Sequence, residues 1–242
     1  MTYKLKITRN LKEINLSQLF RSKIFRNSNN FCDADEFDER CTHFLIFDQS
    51  NSNKLVCVFR VYVIYDFNQL DKSYSNKFYK LSNLKKINDP MLELGRFCID
   101  PTYKDPKIIM TAWSAIRKMV EIKKIKFLFG CSSFIGTSIE RYMDCFKYLK
   151  CKYIAPKKYL PYVKAPQVLK FSKIININNF CIKNAKKNLP PLLSSYLNLG
   201  GWVSDHAVID QELKTMHVFT GLEVEAIPEN RLRFLRSFNF KT

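Results

Sequence analysis

The sequence predicts a single α/β domain over residues 1–242, with a central, mostly antiparallel sheet and helices on its faces. Three observations carry this. Met91 to Leu149 reads as strand, helix, strand, helix; His43 to Ile64 reads as two strands joined by a turn-rich loop; and two further strand patterns close the chain. With 242 residues and 46% hydrophobic content, the chain can bury a full core.

Tyr3 to Thr8 alternates as a short strand, and Leu11 to Phe25 then places Leu11, Ile14, Leu16, Leu19, Phe20 and Ile24 roughly along one helical stripe. The acidic run Asp33 to Arg40 has no period. It precedes the apolar run His43 to Phe47, the turn-rich Asp48 to Lys54, and Leu55 to Ile64, which fit a hairpin with a longer loop. Phe67 to Asn88 is polar and reads as helix plus loop, and Met91 to Ile99 is the next strand, ended by Asp100-Pro101.

Asp105 is placed to cap a helix whose first residue is Pro106, with Ile109, Ala112, Trp113, Ile116, Met119 and Val120 on one face. Phe127 to Phe129 reads as a short buried strand, and Thr137 with Glu140 as a capping box for a helix carrying Ile139, Tyr142, Met143, Phe146 and Leu149 inward. Val168 to Ile177 reads as a strand, and Leu189-Pro190-Pro191 as the entry to a helix ending near Gly200-Gly201. Trp202 to Ile209 and Thr215 to Thr220 read as late strands, and Arg231 to Arg236 as a terminal helix.

The net charge of +18 favours anionic partners such as nucleic acid, an acidic protein or a membrane surface. The charge is unevenly spread: Cys145 to Ser204 holds eleven lysines and no acid, whereas Asp33, Asp35, Glu36, Asp38 and Glu39 crowd one short stretch. Eight cysteines without a Cys-x-x-Cys pair suggest reduced thiols in a cytoplasmic protein, with neither a disulfide frame nor a zinc site. His43, His206 and His217 lack ligand spacing, so no metal is expected. No signal peptide is expected from the charged amino end, and Arg60 interrupts the longest apolar stretch, Leu55 to Tyr65, against a spanning helix.

The segments with chemical content are Asp35-Glu36-Phe37-Asp38 with Cys41 and His43, Val56 to Arg60, Glu93-Leu94-Gly95-Arg96, and Phe129-Gly130-Cys131-Ser132-Ser133-Phe134 with Gly136-Thr137. Leu189 to Leu193 with Tyr196 and Gly200, then Ala207 to Asp210 with Thr215, complete the set. Taken in order, they resemble the ornithine lipid N-acyltransferase family of the GNAT superfamily, over nearly the whole chain. The acidic segment, the arginine-bearing strand and Glu93-x-x-Arg96 are more distantly similar to acyl-homoserine-lactone synthases. Two departures stand out. The Gln/Arg-x-x-Gly-x-Gly/Ala pyrophosphate loop of coenzyme A enzymes is replaced by Pro101 to Lys107, and His217 stands where the family pattern has an acid.

The resemblance implies a GNAT-like fold whose strands splay near Glu93 and Phe129. It also implies transfer of a 3-hydroxyacyl chain from acyl carrier protein to the α-amine of ornithine or a related amino acid. The phosphopantetheine arrives on the carrier, and no cofactor is permanently bound. Such chemistry needs a neutral attacking amine and a donor for the tetrahedral oxyanion, and no protein nucleophile. Glu93 either removes the proton or holds the amine, or else pairs with Arg96 to fix the strand end. Arg96 anchors an acceptor carboxylate or a phosphopantetheine oxygen through its planar fork, or serves as a structural ion pair.

Asp35 and Asp38 are candidates for holding the ornithine side-chain amine, against the plainer role of a solvated or helix-capping surface. Arg60, inside an apolar strand, needs a partner among Asp35, Asp38 and Glu93. Cys98, Ser132, Ser133 and Phe134 complete the expected substrate contacts, and a covalent acyl-cysteine at Cys98 or Cys131 is disfavoured because no histidine lies nearby in sequence. The lysine-rich segment suits the acidic carrier protein and, equally, an anionic inner membrane face, with peripheral association there. The rival reading is a basic nucleic-acid-binding module, but no helix-turn-helix, zinc-finger or RNP pattern is visible and no nucleic acid is expected.

Overall fold

The structure, a computed structural model, describes residues 3–26 and 31–238. In chain order it begins with β1 (Tyr3–Thr8), α1 (Leu11–Phe25), β2 (Thr42–Asp48) and β3 (Lys54–Ile64). The short α2 (Ser75–Phe78) and β4 (Tyr79–Lys80) precede β5 (Met91–Ile99) and α3 (Lys107–Lys123). Then come β6 (Phe127–Ile135), α4 (Met143–Lys152), β7 (Tyr162–Val163) and β8 (Val168–Leu169). The chain continues with α5 (Phe171–Ile174), α6 (Ile182–Asn188), α7 (Pro191–Asn198), β9 (Trp202–Asp210), β10 (Thr215–Glu223) and α8 (Glu229–Ser237). The fold is α/β with mostly antiparallel strands, and the chain divides into two compact units.

The first unit comprises residues 1–63, 92–126 and 228–242. Its strands lie in the order β1, β2, β3, β5. β1 and β3 each run antiparallel to β2, with Leu5 opposite Ile46 and His43 opposite Arg60. Phe44, Phe59 and Phe97 stack at 4.6 and 5.3 Å between successive ring centroids. In α3 the Asp105 side chain accepts from the Lys107 amide at 2.9 Å, the capping bond expected of it, the regular helix begins at Lys107 rather than Pro106, and Ile108, Ala112, Trp113, Ile116 and Val120 are buried.

α1 departs most from its sequence pattern. The buried positions are Ile14, Ser17, Arg21 and Ser22, while Leu11, Leu16 and Leu19 of the expected stripe face solvent. The reason is electrostatic: Arg21 is turned inward to hold two aspartates, and the helix rotates its leucines out.

The second unit comprises residues 64–91 and 127–227. β10 runs antiparallel to both β6 and β9, and β8 pairs with β9. Facing residues of β6, β9 and β10 pack Phe134, Ala207, Met216 and Val218 against α4 to α7 through Phe146, Leu149, Phe171 and Leu193. On the other face Tyr79, Phe129, Trp202 and Phe219 form a ring pile with centroids 5.5 to 6.1 Å apart. Gly221 lies beneath the Trp202 indole, where an added Cβ would come within 2.3 Å of the ring.

Three local expectations are corrected here. β6, expected to end at Phe129, runs on to Ile135, because Gly130 to Ile135 pairs in register with β10 from Thr215 to Thr220. The Thr137–Glu140 capping box does not form; Ser138 instead donates to Glu140 at 3.0 Å, and α4 starts at Met143 without a side-chain cap. Val168 to Ile177 is strand only at Val168–Leu169, after which Phe171 turns into α5 and is buried against Phe146.

Candidate active site

The acidic segment between α1 and β2 is folded by its own side chains. The Phe37 amide donates to Asp35 Oδ1 at 3.0 Å, the Asp35 amide to Asp38 Oδ2 at 3.2 Å, and the Cys41 amide to the Asp38 carbonyl at 3.1 Å. These turns gather the carboxylates of Asp33, Asp35 and Asp38, and arginines from three separate elements meet them.

Arg21 of α1 donates through both terminal nitrogens to Asp38, at 2.7 and 2.8 Å, and through Nε to Asp33 at 3.1 Å. Arg60 of β3 donates to Asp35 at 2.5 and 2.9 Å and to Asp38 at 2.5 Å. Arg96 of β5 reaches Asp35 at 2.9 Å, and its Nε lies 3.3 Å from Asp33. Gln18 adds a bond to Asp38 at 2.8 Å, and Arg26 one to Asp33 at 3.1 Å. Fork-shaped donors on paired oxygens are the strong form of such contacts.

The electrostatics follow from this enclosure. Burial alone would raise the Asp35 carboxyl, but the hydrogen bond and charge of Arg60, with the charge of Arg96, hold it below the ordinary aspartate range. In Asp38 burial is likewise overcome, by the hydrogen bonds and charge of Arg21 and the charge of Arg60, and the carboxyl lies far below its usual value. His43, fully buried with Nε2 3.0 Å from the Asp38 carbonyl, is pushed down chiefly by burial. Burial pushes the Cys41 thiol up to about 12.

Access differs sharply within the cluster. The side chains of Asp33 and Asp38 are 1% and 3% exposed, whereas Asp35 is 18% and Arg96 10% exposed. A ligand can therefore reach Asp35 and Arg96, while Asp38, Arg21 and Arg60 form the frame behind them. Arg96 carries a further mark: its backbone has φ of +51° within a strand, a left-handed conformation uncommon outside glycine. Glu93, three residues earlier on β5, is buried, and its charge bears on Cys41 and Tyr62.

Of the remaining expected contacts, Cys98 belongs with this cluster: the charges of Arg21, Asp33 and Arg96 all bear on its thiol. Cys98 is buried with Leu45 and Val58 and against Phe20 and Ile24, and burial raises its thiol so far that almost no thiolate forms near neutral pH. In the second unit Ser132 is buried and accepts from the Thr220 hydroxyl at 3.0 Å, Ser133 is exposed, and Phe134 packs against Tyr142 and Phe146. His217 is opposite Ser133 in the β6–β10 register. Its Nδ1 lies 3.1 Å from the Tyr79 hydroxyl, which also donates to the His217 carbonyl at 2.8 Å, and burial, with His206 next in weight, lowers the imidazole to about 3. Among the described residues no group of three His, Cys, Asp or Glu side chains is placed to hold a metal ion.

The comparisons with known proteins agree on the class of chemistry. Residues 18–114, which contain Arg21, the acidic segment, Arg60, Glu93 and Arg96, match the GNAT acetyltransferase domain. An L-ornithine N(alpha)-acyltransferase of Rhodobacter capsulatus is 25% identical over a 248-residue alignment covering 97% of this chain and 95% of that protein. The chain is an acyltransferase. A second relative of the same name, from Brucella abortus, is 28% identical over 210 residues, covering 84% of the acyltransferase and 74% of that protein. Among solved structures the acyltransferase shares its fold with an N-acyl amino acid synthase from uncultured soil microbes, with a TM-score of 0.52, 11% identity and 92% of each chain covered. A CoA-dependent acyl-homoserine lactone synthase aligns with a TM-score of 0.50 at 11% identity, covering 97% of this chain and 88% of that one.

Arg21 was not singled out in the sequence. The available signal was its position, four residues after Ser17 and seven after Ile14, which puts it on the buried side of α1.

Proposed function

We propose that this acyltransferase moves a 3-hydroxyacyl chain from acyl carrier protein to the α-amine of ornithine, releasing a lyso-ornithine-type lipid. The observation that carries this is the similarity to proteins named L-ornithine N(alpha)-acyltransferase across 97% of the chain. The Asp35–Arg96 pair gives it a chemical basis. A dibasic amino acid offers a carboxylate and a side-chain ammonium, and Arg96 and Asp35, both partly exposed, offer one complement for each.

In this reading Arg96 takes the acceptor carboxylate, Asp35 the side-chain ammonium, and Glu93 the proton of the α-amine, so that a neutral nitrogen attacks the thioester carbonyl. The carbon–nitrogen bond forms, the carbon–sulfur bond of the phosphopantetheine thioester breaks, and the thiol leaves on the carrier. Asp38 and Arg60 act as positioning residues. Ser132, Ser133, Phe134 and Cys98 remain proposed substrate contacts. The eleven lysines between Cys145 and Ser204 supply a surface for the acidic carrier.

The test is to incubate the pure protein with 3-hydroxyacyl carrier protein and each amino acid separately, and to read the products by mass spectrometry. A lyso-lipid formed with ornithine alone, or far faster than with lysine, glutamine or glycine, supports the reading. A product formed only with glycine or glutamine overturns the acceptor, and one formed from acyl-coenzyme A but not from the carrier overturns the donor.

A further inference from the structure

We propose that the outward face of α1 is a docking surface for an anionic lipid bilayer. The helix splits its apolar residues between two sides: Ile14 is buried beside Ser17, Arg21 and Ser22, and Phe20, Ile24 and Phe25 pack against the core, while Leu11, Leu16 and Leu19 are 77%, 42% and 46% exposed. Ile7, at the end of the preceding strand, is 47% exposed. Projected at 100° per residue, Leu11, Asn15, Leu19, Lys12, Lys23 and Leu16 fall within an arc of about 140°, which in the last turn also takes in the buried Ser22.

The charged residues within this arc, Lys12 and Lys23, are both basic. Lys4, Lys6, Arg9, Lys12 and Lys23 are exposed, and Glu13, the one acid between residues 3 and 26, is half-buried and tied to Lys6. A row of leucines flanked by lysines without a carboxylate among them is the pattern of a helix that lies in a membrane interface, apolar side chains among the acyl chains and ammonium groups at the phosphates. An acidic protein partner would use the lysines but gives no reason for three leucines to face outward over little more than two turns. The outward leucines have an internal cause. Arg21 must point inward to hold Asp33 and Asp38, so the leucines are turned outward as a consequence of building the cluster. No helix among the described residues is long and apolar enough to cross a membrane, so contact through this face would be peripheral.

The inference does not depend on which amino acid accepts the acyl group. It is tested with the full-length protein and vesicles of phosphatidylglycerol and phosphatidylcholine, against vesicles of phosphatidylcholine alone, in a flotation assay at about 0.1 M salt. Wild type should float with the anionic vesicles. The combined variant Leu11→Gln, Leu16→Gln and Leu19→Gln should lose at least ten-fold in vesicle affinity, as should Lys12→Glu with Lys23→Glu. Both should keep their circular dichroism, their activity on soluble substrates and their affinity for acyl carrier protein, since none of these side chains is buried in the unit. Lys173→Glu with Lys183→Glu, in the other unit, should float as wild type. The proposal is overturned if wild type stays in the dense fraction, if the leucine variant floats undiminished, or if that variant floats normally and instead loses carrier affinity, which would make the acidic protein the occupant.

Discussion

Arg96 and Asp35 meet at 2.9 Å, both partly exposed, in a cluster where Arg21, Asp33, Asp38 and Arg60 are sealed. Behind them Arg60 grips the same aspartate and Asp38. The geometry separates groups that a ligand can touch from groups that hold them in place, and the two sets should respond differently to substitution.

Arg21→Met removes a guanidinium that is 1% exposed and leaves Asp33 and Asp38 enclosed with fewer counter-charges. Breaking a buried pair in this way costs about 3–5 kcal/mol. Urea denaturation should show a loss of that size.

Arg96→Lys keeps the charge but loses the planar fork, and because the side chain sits at the edge of the cluster the protein should remain folded. Steady-state kinetics should show the acceptor KM rising about ten-fold or more, with the carrier KM little changed. A uniform fall in kcat with no change in either KM would argue that Arg96 acts elsewhere.

Glu93→Gln preserves shape and removes the carboxylate. If Glu93 takes the amine proton, kcat should fall by roughly 10²–10⁴, and the loss should shrink as pH rises and more of the amine is neutral in solution. A loss independent of pH would assign Glu93 to a structural role.

His217 is neutral in the folded chain down to about pH 3, while in the unfolded chain it takes up a proton near 6.5. The unfolded state therefore binds the extra proton between these values, and stability is full above about pH 6.5 and declines as pH falls towards 3. The slope from this one group is at most about 1.4 kcal/mol per pH unit. A proton resonance of the His217 ring that does not move between pH 8 and 4 would confirm it, and titration near 6 would refute it.

Gly221→Ala would bring a methyl group against the Trp202 indole, where the ideal Cβ lies 2.3 Å from one ring carbon and 2.5 Å from the next. Overpacking of this kind costs about 1–3 kcal/mol. A thermal melt should show a clear drop in midpoint for this variant and a smaller one when Trp202→Phe is added.

Much of this was legible before any coordinates. The alternation of Tyr3 to Thr8, the Asp105-Pro106 helix start and the late pair of strands followed from local pattern, and Arg60 declared its need for an acidic partner by standing in an apolar strand. The failures share a cause. In α1 the leucines suggested a buried stripe, but two buried ion pairs outweighed them, and a periodicity count does not register that. At Gly130 to Ile135 small polar residues suggested a chain end, whereas pairing with β10 across some eighty residues decides the conformation. Arg96 gave no sign of its left-handed backbone, which depends on the strand around it.

The two tryptophans of the chain fall one to each compact unit, Trp113 on α3 and Trp202 on β9. Replacing either by phenylalanine leaves a lone indole whose emission reports on the unit that holds it. The molecule thus carries its own pair of optical reporters, and two fluorescence melts would reveal whether the halves come apart together or in succession.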